Sequence, residues 1–266
     1  MDSEILDIIK SFDYTVLFIV LEYIVITYIL GMIYKFIGWK NSTYIQRNFG
    51  WTGYCILGSV GVSFHELAHL ITAVLFRHRI NRVELFRPVK GKIDGVLGYV
   101  YHTWNNRSIY QRIGNFFIGT APMFFGAGFL FILLRFAYPT SFVEVVALNE
   151  IPDSLRFAFK SMFQRENFFT IWTPVVFLAV ILICPHMHMS WADVKGATSG
   201  AVTLLIVALI LSVASDYIPV NVMAQMQGAM TTFVTYYVYA LILGLVINGI
   251  MTLCFGLLSL LRGRGL

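Results

Sequence analysis

The sequence predicts an all-α polytopic membrane protein of about six transmembrane helices, with a short β-rich insertion between the second and third. Composition is the first observation: 58% of the 266 residues are hydrophobic and only 12% are charged, where soluble domains carry roughly a quarter. Mean hydropathy, at +0.74, is the second. The third is recurrence, because segments approaching the ~20 mostly apolar residues that cross a bilayer occur six times along the chain.

In order, these segments cover about 14–34, 51–76, 113–136, 171–189, 200–218 and 231–261. The acidic start MDSEILDIIK has no short apolar core with a small-residue cleavage site, so the first span is expected to be retained. Between spans two and three, residues 77–112 hold two strand-like pieces, VELF and GVLGYVYH, separated by Pro and Gly turn signals. The stretch 137–170 is a mixed loop whose piece SLRFAFKSMF suits the membrane interface. No internal repeat or soluble domain interrupts the pattern, so residues 1–266 form a single membrane-embedded domain with its core at about 50–200.

Charge sets an expected orientation. With the N-terminus inside, the inner side carries 12 Lys and Arg and the outer side 7, which favours both termini in the cytoplasm of a cell-membrane protein. The net charge of +5 sits in loops, where topology accounts for it, and no nucleic-acid partner is expected. Cys55, Cys184 and Cys254 are odd in number, far apart and embedded in apolar runs, which argues against a disulfide framework or a cysteine metal cluster.

The chemistry concentrates in SFHELAHLITAVLF, residues 63–76. Ionisable side chains inside a span are costly unless partnered. HELAH is the pattern H-E-x-x-H: on a helix His65 and His69 share one face and can both offer a ring nitrogen to one metal. Glu66 stands beside them, where a carboxylate can take a proton from activated water. A catalytic zinc site commonly needs a third protein ligand. The polar cluster PHMHMSWADVKG, residues 185–196, supplies Asp193 as the first choice and His188 as the second. Asp193 is preferred because a charged ligand offsets more of the metal's 2+ charge than neutral imidazole does. The bland alternative is that Asp193 merely caps the following helix or pairs with Lys195. Asn115 is a candidate for hydrogen-bonding substrate or a developing oxyanion, and His188, if not a ligand, for binding substrate. Glu22 is expected to be buried in the first span, and His78 and His102 to be exposed or interfacial.

In order along the chain come HELAH at 65–69, the strand-like 83–102, the small-residue run GTAPMFFGAG at 119–128, and Asp193. This order resembles the site-2 protease family of intramembrane zinc metalloproteases. The resemblance implies Zn2+ as cofactor, His65, His69 and Asp193 as its ligands, Glu66 as general base, and a membrane protein or peptide in the lipid bilayer as substrate. A rival expectation is a catalytically inactive metal-binding membrane protein acting as a regulatory or binding partner, for which Glu66 would be unnecessary. A transporter is disfavoured because the matched halves typical of that class are missing.

Overall fold

The computed structural model describes residues 14–141 and 148–263, and most of them are helical. Expectations resting on residues 1–13, Glu144 and Arg264, including parts of the charge count, lie outside the described residues. Four helices are long and apolar enough to cross a membrane: α1 (Thr15–Leu75), α3 (Ile109–Ala137), α7 (Trp191–Val213) and α8 (Val220–Leu261).

The 61 residues of α1 do not run straight. Gly50 has φ +68° and ψ −174°, a region that essentially only glycine occupies. Gly38 packs against His188 and Pro185, while Gly61 packs against Leu182 and His186. A straight helix would separate these two glycines by about 35 Å at 1.5 Å per residue, so α1 folds back on itself at Gly50. Its first arm is 15–49 and its second 51–75. The expected loop at 35–50 is therefore helix.

That extension has a partner along its length. Tyr34 Oη donates to the Leu241 carbonyl at 2.8 Å, Asn41 Nδ2 to Asn248 Oδ1, and Asn48 Nδ2 to the Phe255 carbonyl at 3.0 Å. Each pair is 207 residues apart in sequence, so the first arm and α8 run parallel and in register. The seven-residue step is that of two helices keeping one seam together.

The insertion comprises β1 (Arg79–Glu84), the short helix α2 (Pro88–Asp94) and β2 (Tyr99–Thr103). The strands pair antiparallel, Ile80 opposite His102 and Glu84 opposite Tyr99, with an irregularity between Ile80 and Arg82. Thus β1 begins earlier than the apolar piece VELF indicates, because pairing with β2 recruits Arg79–Asn81. α3 starts at the Ser108 cap, whose hydroxyl accepts from the Gln111 amide at 3.3 Å. It packs closely on α7, with Gly119 against the Asp193 backbone and Gly200 against Phe116; small residues allow such approach between membrane helices. The expected interfacial piece is α4 (Ile151–Met162), which buries Ile151, Leu155 and Ala158 and turns Arg156 and Lys160 outward. A single turn, α5 (Arg165–Phe168), leads into α6 (Trp172–Ile183).

α6 and α7 do not make separate crossings in opposite directions. Trp172 meets Phe136 edge to face near the end of α3, and the backbone of Leu17 near the start of α1 donates to Ser212 near the end of α7. Cys184 lies between, held by Asn248. The two helices therefore descend together, broken at 184–190, and the described chain makes five passages where six spans were expected. A 12-residue α6 is about 18 Å long, short of the ~30 Å hydrocarbon thickness. At the other end, Arg262 donates to the Asn48 carbonyl at 2.8 Å. Thr15 and Leu261 consequently lie at opposite ends of the bundle, which does not fit the expectation that both termini share one side. With Arg262 on the far side, the Lys/Arg asymmetry behind that expectation shrinks. Glu22, expected inside, is exposed on the first arm.

Candidate metal centre

The second arm of α1 presents His65 and His69 one turn apart. The His65 Nδ1–H donates to the His186 carbonyl at 2.7 Å and the His69 Nδ1–H to the Ile118 carbonyl at 2.8 Å. A carbonyl only accepts, so in each neutral ring the hydrogen is on Nδ1 and Nε2 carries a lone pair. The two Nε2 atoms stand 3.1 Å apart. Asp193 completes the group, Oδ1 at 3.3 Å from His69 Nε2 and Oδ2 at 3.8 Å from His65 Nε2. Three acceptors face one another with nothing donated between them. A proton on one ring would reconcile one pair, whereas a cation reconciles all three.

Three atoms held by one tetrahedral zinc at 2.0–2.1 Å would be about 3.3 Å apart; the two nitrogens stand at 3.1 Å, His69 is 3.3 Å from one carboxylate oxygen and His65 3.8 Å from the other. Among the described residues, His65, His69 and Asp193 are the group of metal-ligating type, their ligand atoms all within 4.8 Å of one another. The donor set fits a zinc-type ion, and the carbonyls behind both imidazoles are the kind of outer partners that fix a ligand's tautomer and direction.

Two local structures deliver Asp193. The first is the break between α6 and α7, where three successive carbonyls meet side chains. Cys184 O accepts from Asn248 Nδ2 at 2.9 Å, Pro185 O from His188 Nδ1 at 2.9 Å, and His186 O from His65. The second is a capping box: the Ser190 hydroxyl accepts from the Asp193 amide at 3.1 Å, and Asp193 Oδ2 accepts from the Ser190 amide at 2.7 Å. Capping and facing the histidines, set against each other in the sequence, are thus combined in one carboxylate, Oδ2 on the cap and Oδ1 towards His69. Lys195 is exposed and forms no ion pair with it.

A cavity of about 520 Å³ opens in front of this group. Its wall includes Glu66, Asn115, Val100, Tyr101, His102 and Trp104. Glu66 is buried, and a Cβ on Gly98 would stand 2.7 Å from its Cγ, so the loop before β2 lies directly on the carboxylate side chain. Asn115 is buried beside it with Nδ2 3.4 Å from the Ser199 hydroxyl. His188 is elsewhere: its ring is 6.1 Å from that of His65, packed on Gly38 and outside the cavity lining.

His78 and His102, expected to be exposed or interfacial, are drawn inward by the strand pairing. His78 is buried, its Nε2 donating to the Gln111 carbonyl at 2.9 Å and its Nδ1 3.0 Å from His102 Nδ1. His78 stacks on Trp104, and His102 lies tilted beside it. The available signal was the register: His102 belongs to the strand that walls the cavity. No protein-family model, curated protein or solved structure matches the chain.

Proposed function

We propose that this chain is an intramembrane zinc metallopeptidase, similar to the site-2 proteases, that hydrolyses a peptide bond of a membrane-associated protein or peptide. The observation that carries the reading is the convergence of three lone-pair-bearing ligand atoms, from His65, His69 and Asp193, beside a buried Glu66 in one cavity. Zn2+ held by those residues would polarise the scissile carbonyl and bring the pKa of its water to about 7. Glu66 accepts the water's proton and passes it to the leaving nitrogen. Asn115, in the wall of the same cavity, hydrogen-bonds the carbonyl oxygen in this reading as charge develops on it. An intact helix hides its carbonyls in internal hydrogen bonds, so the substrate must arrive extended, and the edge of β2 at the cavity wall offers it a strand to pair with.

His65 lies ten residues from Leu75, about 15 Å along the helix from the end that carries the insertion. The eight basic residues between Arg77 and Arg112 favour that end facing the cytoplasm, with the cavity drawing water from there. Cysteine at position 90 labelled only from outside would reverse this orientation.

The test is metal content and cleavage measured together, on the purified full chain and on membranes of cells expressing it. Glu66→Gln keeps zinc at wild-type occupancy and loses about 10²–10⁴-fold in rate, the usual worth of a positioned base. Wild-type turnover by this variant would sink the mechanism. If wild type itself cleaves nothing while binding zinc, the chain is the metal-holding regulatory partner instead. Tyr101→Pro, which disturbs the β2 edge, is expected to retain zinc and impair cleavage; unchanged cleavage would remove the strand from the binding mode.

A further inference from the structure

His102 takes no part in the mechanism above, yet it walls the same cavity as Glu66, His69 and Asp193. Its protonation pattern follows from its neighbours. His78 Nε2 contacts the Gln111 carbonyl at 2.9 Å and must carry the hydrogen of that bond. Burial holds His78 below the usual imidazole range, so the ring is neutral and its Nδ1 has a lone pair. The 3.0 Å contact between the two Nδ1 atoms then requires the hydrogen on His102 Nδ1. What is left is His102 Nε2, a bare acceptor with no protein partner among the described residues.

The ring pair is also fixed in place. Trp104 lies over His78 at a centroid distance of 5.9 Å and 23°, and 6.0 Å from His102. Burial, then the neighbouring His78 and His69, push the His102 pKa down to about 4, with Asp193 opposing. A ring so reluctant to take a proton is a poor base at neutral pH and a good neutral acceptor. Glu66, Asp193 and His102 all offer lone pairs to the cavity, so a ligand that meets this side of it brings donors. Extended peptide backbone does so with its N–H groups.

We infer that His102 is a substrate-binding residue, its Nε2 accepting a hydrogen bond from one backbone N–H of the peptide beside the scissile bond. This rests on the peptidase reading and adds to it a point of contact fixed by the His78–Gln111 relay.

The experiment uses the zinc-loaded full chain in detergent and trileucine hydroxamate as the probe, with a set of analogues N-methylated at one backbone nitrogen each. Asparagine at 102 mimics Nδ1 and keeps a donor for His78, while glutamine reaches the Nε2 position and keeps the cavity acceptor. In wild type, methylation at one nitrogen is expected to weaken binding about tenfold, the upper range for a single hydrogen bond. In His102→Asn that penalty shrinks to about twofold, and His102→Gln restores most of it. A merely structural His102 predicts the reverse ranking, with Asn behaving as wild type, and that result overturns the inference. So does a wild-type protein indifferent to every methylation while still binding the parent hydroxamate. A protein that holds zinc but binds no hydroxamate overturns the peptidase reading together with this one.

Discussion

Where the first arm of α1 runs beside α8, buried polar groups meet as donor and acceptor: Tyr34 with Leu241 O, Asn41 with Asn248, Asn48 with Phe255 O. Around the second arm, His65, His69 and Asp193 meet as acceptor facing acceptor. The residue types are equally polar, and both sets are buried or nearly so. The difference is where the hydrogens point. In the first region Tyr34, Asn41 and Asn48 each donate a hydrogen across the seam to α8, which closes it. In the second, backbone carbonyls draw both imidazole hydrogens outward and leave lone pairs converging on one point. A buried polar cluster therefore indicates structure or chemistry according to its donor–acceptor balance, and polarity by itself does not discriminate.

The largest test of this contrast is His69→Leu. Zinc affinity is expected to fall roughly 1,000-fold, taking about a third of the ~12 kcal/mol typical of structural zinc sites for one ligand. The metal-free protein should not lose thermal stability, because a mutually repelling group has been removed. A lower metal-free unfolding midpoint would mean the histidines are bonded to one another as the seam residues are.

Gly50 joins the two regions, and its effect is next in size. Nothing lies within 4 Å of a Cβ built there, so Gly50→Ala isolates the backbone conformation. A loss of about 1–3 kcal/mol is expected, read by chemical unfolding in detergent. A neutral outcome would show that the two arms fold back by some other route.

The smallest effect belongs to the seam. In a double-mutant cycle of Asn41→Leu and Asn248→Leu, the coupling should be about 0.6 kcal/mol, as for other hydrogen bonds between membrane helices. Zinc occupancy in Asn41→Leu should remain that of wild type. Coupling near zero would reduce the in-register pairs to coincidence, and lost zinc would merge the two regions into one network.

Much of the site could be read from the chain because its determinants are local. The i, i+4 spacing in HELAH places two imidazoles on one helix face whatever surrounds them. The polar cluster after an apolar run marked the segment that carries Asp193. What escaped was non-local. Lys35, Lys40 and Arg47 read as a loop by charge, but the heptad-spaced contacts with α8, 207 residues on, keep that stretch helical. Two apolar segments flanking 184–190 read as two crossings, since hydropathy carries no direction; only the contacts of Trp172 and Leu17 show that α6 and α7 run the same way. His102 looked peripheral because strand pairing, rather than sequence distance, brings it to the cavity.

The break at 184–190 also bears on the order in which the protein is made. The Cys184 carbonyl, at the start of that break, is met by Asn248, 64 residues later in the chain. At about 5–20 residues per second of synthesis, Asn248 emerges roughly 3–13 s after Cys184. Until then the segment that carries Asp193 lacks one of its three anchors, although HELAH was completed long before. The newborn chain thus carries both histidines and the carboxylate before the α8 anchor of that segment exists. Full anchoring of the break is deferred to the last helix, so a ribosome that stalls before α8 leaves behind a fragment with the motif but one anchor short.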